Sequence, residues 1–224
     1  APFNATQVDL VVCNNEGFIK KYAISNCLKQ NGVLLLNSGY DFETLNKTML
    51  NETKQELKNK DISLYVIDAN KIAGDNGLGN KINTVMQTAL FKVSNLLDFN
   101  LAKENIKNSI VKTYSKKGEK IVENNLKAVE NVENSIKNVD ISKFSLTVED
   151  DLNKETNSYY NEIIVPTSIQ KGNDIPVSKF NSDGTMPTGT SKFEKRALAK
   201  ELPNWISEKC IQCGRCTMMC PHAA

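Results

Sequence analysis

The sequence has no long apolar run. Its longest stretches of consecutive apolar residues, such as 10–13 and 33–36, are four residues long, whereas a membrane-spanning helix needs about 20. No signal peptide precedes the first apolar segment at residues 8–13. These absences predict a soluble, unexported protein of the cytoplasm, with no membrane partner. The organelle of an anaerobic eukaryote is the alternative compartment.

The sequence also lacks an excess of either charge. Its 28 lysines and arginines nearly balance its 26 aspartates and glutamates, for a net charge of +2. Proteins that bind nucleic acid through their overall field carry a marked basic excess. We therefore expect no nucleic-acid partner.

Cysteine and histidine are scarce outside one short segment. Cys13 and Cys27 stand alone, while the other four of the six cysteines lie within eleven residues near the C-terminus. That distribution does not suit a disulfide framework and indicates a reducing compartment. We expect Cys13 and Cys27 to be buried free thiols. The single histidine, His222, is expected at the surface, with a role as substitute metal ligand as the alternative.

Short segments that are apolar throughout alternate with amphipathic ones in the first part of the chain. Such strands are typical of a parallel sheet covered by helices on both faces. The strands lie within VDLVVC (residues 8–13), GVLLLNSG (residues 32–39) and ISLYVIDA (residues 62–69), and the helical segments run through Ala23 to Cys27 and from about residue 42 to near Lys60. The pattern predicts a βαβαβ unit and hence an α/β domain.

Two sites in this domain could bind ligands. Ser38-Gly39 and Asp68-Ala69 follow predicted strands, and open α/β sheets usually bind ligands at the carboxyl ends of strands. The glycine-rich residues 74–79 lack the G-x-G-x-x-G spacing of a dinucleotide site. We read them as a turn that precedes a packed helix beginning near Asn83, with phosphate binding as the alternative.

Two amphipathic helices are predicted on either side of Gly118. Their apolar residues recur at helical intervals: Ile106, Ile110, Tyr114, Val122, Leu126, Val129 and Ile136. Lys116, Lys117 and Lys120 near the break are expected to form a solvated face, and a phosphate-bearing ligand is the alternative. The periodicity ends after Asp140. Residues 141–200, rich in proline and glycine, are predicted to be an irregular connecting segment.

The strongest motif is a run of four cysteines. Cys210, Cys213, Cys216 and Cys220, followed by Pro221, fit C-x2-C-x2-C-x3-C-P, the bacterial ferredoxin run for a 4Fe-4S cluster. Thiolates also suit zinc, but zinc ligands usually come as two separated pairs. The run therefore predicts an iron-sulfur site.

The chain looks incomplete at both ends. In two-cluster ferredoxins the fourth cysteine of such a run binds the other cluster, and no second run follows here. The chain begins without methionine and meets its first strand within ten residues. We expect a fragment whose residues 201–224 open a ferredoxin domain, and which folds over residues 8–140 but holds its cluster poorly.

With these residues identified, the sequence resembles pyruvate:ferredoxin oxidoreductase, the modular thiamine-dependent enzyme of anaerobes. Residues 1–140, with GVLLLNS, YVIDANKIA and GLGNKINTVMQTALF, resemble the later part of its α/β gamma domain. PVSKFNSDGTMPTGTSKFEKR resembles its connecting segment, named for Glu194-Lys195-Arg196. CIQCGRCTMMCPHAA resembles the start of its ferredoxin domain. The full-length protein is expected to be an enzyme, and the fragment inactive alone.

The resemblance implies oxidative decarboxylation of pyruvate to acetyl-coenzyme A, with ferredoxin or flavodoxin as electron acceptor and a homodimer as the full-length assembly. Thiamine diphosphate, Mg²⁺ and coenzyme A would serve the full-length enzyme. Cys210, Cys213 and Cys216 would hold one cluster, and Cys220 would bind the neighbouring one. The gamma domain would engage coenzyme A, with no lysine singled out. A structural role is expected for the EKR segment.

Two other functions remain open. The chain could be a stand-alone iron-sulfur electron-transfer subunit that docks on a separate catalytic chain. It could also be a zinc-bound interaction module, which would lack the visible absorption of an iron-sulfur cluster. A second cysteine run in the reading frame after Ala224 would favour the oxidoreductase.

Overall fold

The structure is a computed structural model that describes residues 5–20, 22, 24–146, 158–168, 171–190 and 204–221. The strands are β1 (Val8–Cys13), β2 (Leu28–Asn37), β3 (Ser63–Ile67) and β4 (Lys137–Val139). The helices are α1 (Phe42–Thr48), α2 (Asn51–Asn59), α3 (Ala69–Asp75), α4 (Asn83–Ser94), α5 (Phe99–Tyr114), α6 (Glu119–Val132), α7 (Val165–Ser168) and α8 (Arg215–Met219).

The four strands form one mixed sheet in the order β1-β2-β3-β4. β1, β2 and β3 are parallel, with Val12 opposite Leu35 and Leu35 opposite Tyr65. β4 runs antiparallel beside β3. The α/β class is confirmed: the three expected strands are parallel, and β4 adds a fourth, antiparallel strand. The sequence does not reveal β4 because it is three residues long and two of them are exposed and polar, as is common at sheet edges.

The connection between β1 and β2 differs from the expected helix. Its described residues contain a 3-10 turn, Glu16–Lys20, and Cys27 lies in a turn just before β2; Ala23 lies outside the described residues. The Asn15 side chain accepts a hydrogen bond from the Gly17 N–H (2.8 Å), and the Asn15 carbonyl accepts one from Phe18 (3.2 Å). These local bonds favour a tight turn over an α-helix.

The helical stretch predicted to end near Lys60 is two helices rather than one. The Asp41 side chain caps α1 by accepting a 2.8 Å bond from the Thr44 N–H. Met49 and Leu50 then adopt ψ values of 135° and 141°, which interrupt the helical path before α2 begins. Both residues are buried, so the bend between the helices is part of the core.

The core lies on both faces of the sheet. Leu34 and Leu36 of β2 point to one face, where they pack with residues of α1 and α2. Leu35 between them points to the other face, into a cluster formed with α3, α4 and α6. Successive side chains of a strand alternate between faces. The uninterrupted apolar run therefore marks a strand with helices on both sides, as predicted.

The two helices predicted around Gly118 are α5 and α6. Gly118 has φ of +114°, which favours glycine, and Ile106, Ile110 and Val129 form the buried contact between the helices. α6 runs parallel to α4, because Thr84 contacts Asn125 and Lys92 contacts Glu133. The corner between α5 and α6 therefore lies at the N-terminal end of α4.

The connecting segment is built from short turns in its described parts. A π-type turn, Tyr160–Ile164, leads into α7, and 3-10 turns follow at Gly172–Asp174 and Val177–Lys179. Lys179 pairs with Glu162 at 2.9 Å and joins the two described pieces. Within the described residues, no helix has both the length and the apolar character needed to cross a membrane.

Candidate functional site

The four cysteines of the ferredoxin-type run lie on one short loop and helix. Cys210 follows a 3-10 turn, Ser207–Lys209, and Cys216 lies inside α8. Cys220 caps α8, with its N–H donating to the Cys216 carbonyl at 3.1 Å. None of the four forms a disulfide; Cys220 is partly buried and the other three are exposed.

Two residues with a left-handed backbone conformation bend the chain between these cysteines. Gln212 has φ of +55° and Gly214 has φ of +70°. Glycine adopts this conformation freely, while for an L residue such as glutamine it carries a cost. At Gln212 the conformation coincides with a hydrogen bond, because its backbone N–H donates to the Cys210 sulfur at 3.4 Å.

The surroundings of Cys210 favour the thiolate. The Gln212 backbone N–H and, second, the Trp205 indole hold the pKa of the Cys210 thiol below its ordinary value of 9.0. The thiolate is the form that binds metals.

The donor set fits an iron-sulfur cluster. The run offers four cysteine sulfurs outside any disulfide and has no histidine or carboxylate within residues 210–220, and soft thiolates are the ligands that iron-sulfur clusters use. Among the described residues no group of three His, Cys, Asp or Glu side chains is placed to hold a single metal ion. A four-iron cluster takes one thiolate per iron, so its ligands stand farther apart than those of one ion. That finding therefore does not weigh against a cluster.

A second polar site lies at the carboxyl ends of the parallel strands. Asn37, at the end of β2, donates to the Asn14 carbonyl and accepts from the Ala69 N–H, both at 2.9 Å. The Asn37 side chain thus ties the loops after β1 and β3 together. It is 2% exposed, and sequence reasoning missed it because a buried asparagine is not apparent from hydrophobic spacing.

The predicted Ser38-Gly39 and Asp68 do meet at this edge. The Ser38 hydroxyl donates to Glu16 at 2.8 Å and accepts from the Tyr40 N–H at 3.0 Å. Any Cβ on Gly39 would lie 2.8 Å from an oxygen of Asp68. The edge thus holds two carboxylates, Glu16 and Asp68, and its polar groups bond to one another. A phosphate would meet like charge here.

A basic site lies elsewhere, at the α5–α6 corner. Lys116, Lys117 and Lys120 are exposed there. Lys117 lies 5.3 Å from the centroid of the Tyr114 ring. None of the three lysines forms an ion pair with another described residue. The corner can therefore meet an anion without first breaking a described salt bridge.

The remaining predicted features are the glycine-rich turn, the two isolated cysteines, the EKR motif and the single histidine. The glycine-rich turn is confirmed as a turn: Gly77 has φ of +70°, and Leu78 closes α3 by donating to the Ala73 carbonyl at 2.8 Å. Cys13 is buried, and burial raises the pKa of its thiol. Cys27 is only half-buried. The EKR motif and His222 lie outside the described residues.

Comparison with known protein families divides the chain into three matches. The family described as pyruvate ferredoxin/flavodoxin oxidoreductase matches residues 1–133, more than half of the chain. A domain of unknown function named EKR matches residues 147–199, and a 4Fe-4S binding domain matches residues 203–224.

Several curated proteins are similar along almost the whole chain. The pyruvate:ferredoxin oxidoreductase of Moorella thermoacetica is 38% identical over 97% of this chain and 19% of its own length. The pyruvate-flavodoxin oxidoreductase of Nostoc sp. is 34% identical, with the same two coverages. The chain thus spans about a fifth of the length of these relatives.

Among solved structures, the pyruvate oxidoreductase subunit PORC of Thermotoga maritima is 24% identical, with a TM-score of 0.47. The match covers 60% of this chain and 67% of that one.

Proposed function

The chain belongs to the pyruvate ferredoxin/flavodoxin oxidoreductase family, and on that premise we propose that it is one part of a longer polypeptide that oxidises pyruvate. The reaction would convert pyruvate and coenzyme A to acetyl-coenzyme A and carbon dioxide, and the two electrons released would pass to ferredoxin or flavodoxin. This chain would supply an α/β domain, the connecting segment and the first cysteine run of an electron-transfer domain.

One observation carries this proposal. The α/β domain and the four-thiol segment stand on a single chain in the same order as the matched families, and relatives about five times as long match almost all of it. That arrangement supports the interpretation that this chain is part of a large oxidoreductase rather than a stand-alone electron-transfer subunit.

The match of residues 203–224 to a 4Fe-4S binding domain supports the proposed role of the cysteine run. Cys210 and Cys213 lie on a bent loop, Cys216 lies at the start of α8, and all three are exposed. These three would bind the same 4Fe-4S cluster, while Cys220 would reach a neighbouring one. A bound cluster would accept and donate one electron at a time. Gln212 and Gly214, both with positive φ, bend the chain between these cysteines.

Coenzyme A is the substrate that this domain would contact. Its phosphates are anionic, and the carboxylates of Glu16 and Asp68 disfavour them at the carboxyl edge of the sheet. The α5–α6 corner, with Lys116, Lys117 and Lys120 exposed, offers the opposite charge. We therefore place the coenzyme A contact at this corner rather than at the edge where α/β sheets usually bind ligands.

The rest of the assembly lies beyond this chain. Thiamine diphosphate and Mg²⁺ would bind to other parts of the polypeptide, and no residue here is assigned to them. A cytoplasmic homodimer that binds neither nucleic acid nor membrane completes the proposal.

The test measures the enzymatic activity of the protein encoded by the complete reading frame that contains this stretch. Expressed anaerobically with thiamine diphosphate and Mg²⁺, it should reduce ferredoxin or flavodoxin only when both pyruvate and coenzyme A are present. A reading frame that ends at Ala224, or a protein with full iron content and no pyruvate-dependent reduction, would contradict the proposal. Bound zinc in place of iron would identify an interaction module instead.

A further inference from the structure

Residues 176–187 of the connecting segment form a loop of two successive turns. In the first turn, the Lys179 N–H donates to the Pro176 carbonyl at 2.9 Å. The Lys179 side chain also pairs with Glu162 at 2.9 Å and so ties this turn to the π-type turn Tyr160–Ile164. The loop is therefore attached at its base to an earlier part of the segment.

The second turn of the loop is closed by its own polar side chains. Asp183 accepts hydrogen bonds from the N–H and the hydroxyl of Thr185, at 2.9 and 2.7 Å, and the Asn181 side-chain amide donates to the Thr185 carbonyl at 3.1 Å. Asparagine and aspartate favour turns because their side chains bond to nearby backbone groups. These bonds join residues at most four positions apart, so the turn holds its shape by itself.

Exposed apolar side chains stand on both sides of this second turn. Phe180 directly before it is 46% exposed, and Met186 directly after it is 62% exposed. Aromatic residues and methionine are enriched at protein interfaces. A loop that is already fixed also loses little conformational freedom when it binds. The loop thus combines the side chains of a contact surface with a preformed shape.

We propose that the loop at residues 176–187 is a docking element, whose Phe180 and Met186 side chains pack against an apolar surface of a neighbouring domain of the same polypeptide. This inference rests on the proposed function, because it requires a polypeptide longer than this chain. It goes beyond that function by assigning an interaction to part of the matched domain of unknown function, residues 147–199.

The position of the segment favours the same polypeptide as the partner. It lies between the match at residues 1–133 and the 4Fe-4S match at residues 203–224, and relatives about five times as long match almost all of the chain. A loop linked to neighbouring domains meets them at a high effective concentration. A second copy would have to offset the loss of translational and rotational freedom.

The charges of the loop favour an apolar partner surface. Lys179 and Asp183 are the only charged residues within 176–187. Lys179 is paired with Glu162, and Asp183 accepts the bonds of the second turn. The loop therefore offers little attraction to a highly charged partner, and its exposed apolar side chains are what it can contribute to a contact.

Photo-crosslinking in the protein encoded by the complete reading frame identifies the partner. Phe180→benzoylphenylalanine places a photoreactive ring at the proposed contact, and irradiation should link it to a peptide of the same polypeptide outside these 224 residues. Mass spectrometry locates the link, and a denaturing gel separates links within one copy from links between two. Asn173→benzoylphenylalanine is the matched control, because Asn173 is exposed in the same segment but lies outside the loop. It should not give this link.

Hydrogen exchange gives an independent measurement. The double variant Phe180→Ser and Met186→Ser should increase amide exchange in the peptide that the cross-link identifies, because its cover is lost. Ser182→Ala, at an exposed position between the two apolar residues, should leave the exchange unchanged.

The outcomes separate this inference from the proposed function. A reading frame that ends at Ala224 overturns both. A complete protein that oxidises pyruvate but links position 180 only to a second copy, only to residues within 1–224, or no more than the Asn173 control does, overturns the docking element alone. Unchanged exchange in the double variant also overturns it.

Discussion

The ring of Phe144 stacks on the ring of Phe42, with centroids 5.2 Å apart and planes inclined by 22°. The contact fastens the chain after β4 to helix α1. Two lysines of α2 reinforce it: the exposed Lys58 donates to the Phe144 carbonyl at 2.6 Å, and the buried Lys54 donates to the Ser145 carbonyl at 3.1 Å. The path of the chain as it leaves the α/β domain is therefore set by contacts with α1 and α2.

Replacing Phe144 should destabilise the α/β domain. Phe144 is 3% exposed, and Phe144→Ala leaves a cavity in the core beside Phe42 at an expected cost of about 3–5 kcal/mol. Urea unfolding of the 224-residue chain measures the change. Leu146→Ala is the control, because Leu146 is 56% exposed and the expected change is about 0.5 kcal/mol or less. Equal changes in the free energy of unfolding for the two variants would show that the stacked pair contributes little to stability.

Stability should depend on pH through Glu130. Hydrogen bonds from Lys103 and then Lys107 lower the pKa of Glu130 below its ordinary value of 4.5. A carboxyl group with a lowered folded-state pKa stabilises the fold above its unfolded-state pKa, and the contribution is lost as pH falls through the folded value. Glu130 is half-exposed, so solvent screening limits the contribution to about 1 kcal/mol.

Glu130→Gln tests this interpretation. The variant should be less stable than wild type at pH 7, and the difference should disappear as the pH falls well below 4.5. Chemical denaturation at several pH values and two salt concentrations would follow it, with high salt reducing the difference. Glu104→Gln is the control, since Glu104 is exposed and forms no ion pair with another described residue. A difference that persists unchanged at low pH would contradict the assignment.

The cysteines of the run should differ in importance. The wild-type 224-residue chain is expected to retain only part of its cluster after anaerobic reconstitution with iron and sulfide. Cys213→Ser should abolish most of that bound iron, because it removes a ligand of the cluster proposed for Cys210, Cys213 and Cys216. Cys220→Ser should retain nearly the wild-type amount, because Cys220 is assigned to the neighbouring cluster. Cys27→Ala, outside the run, is the control. Iron, sulfide and visible absorption are the measurements. If Cys220→Ser is as damaging as Cys213→Ser, all four thiols hold one cluster.

Charge reversal at the α5–α6 corner should weaken coenzyme A binding. In the full-length enzyme, the triple variant Lys116→Glu, Lys117→Glu and Lys120→Glu should raise the KM for coenzyme A roughly tenfold, equivalent to about 1.4 kcal/mol, and leave the KM for pyruvate unchanged. Lys127→Glu is the control: Lys127 lies two turns along α6 and pairs with Glu123 at 2.7 Å. An unchanged KM for coenzyme A in the triple variant would contradict the assignment of the corner.

Local sequence patterns predicted the elements that depend on local spacing. Leu34, Leu35 and Leu36 predicted a strand buried on both faces, and Gly118 marked the break between two helices. The β1–β2 connection was predicted less well, because Asn15 forms a local turn in place of the expected helix. β4 was missed because its three residues form a strand only by pairing with β3, and β3 lies far from β4 in the sequence.

The sequence by itself determined the α/β class and the ligand chemistry of the cysteine run, because hydrophobic period and cysteine spacing are properties of neighbouring residues. Only the tertiary structure decided which distant residues meet. It joined Asn37 to the loops after β1 and β3, brought Glu16 and Asp68 to the same sheet edge, and placed Phe144 on Phe42. These relationships depend on how strands and helices pack across the chain, and no local pattern encodes that packing.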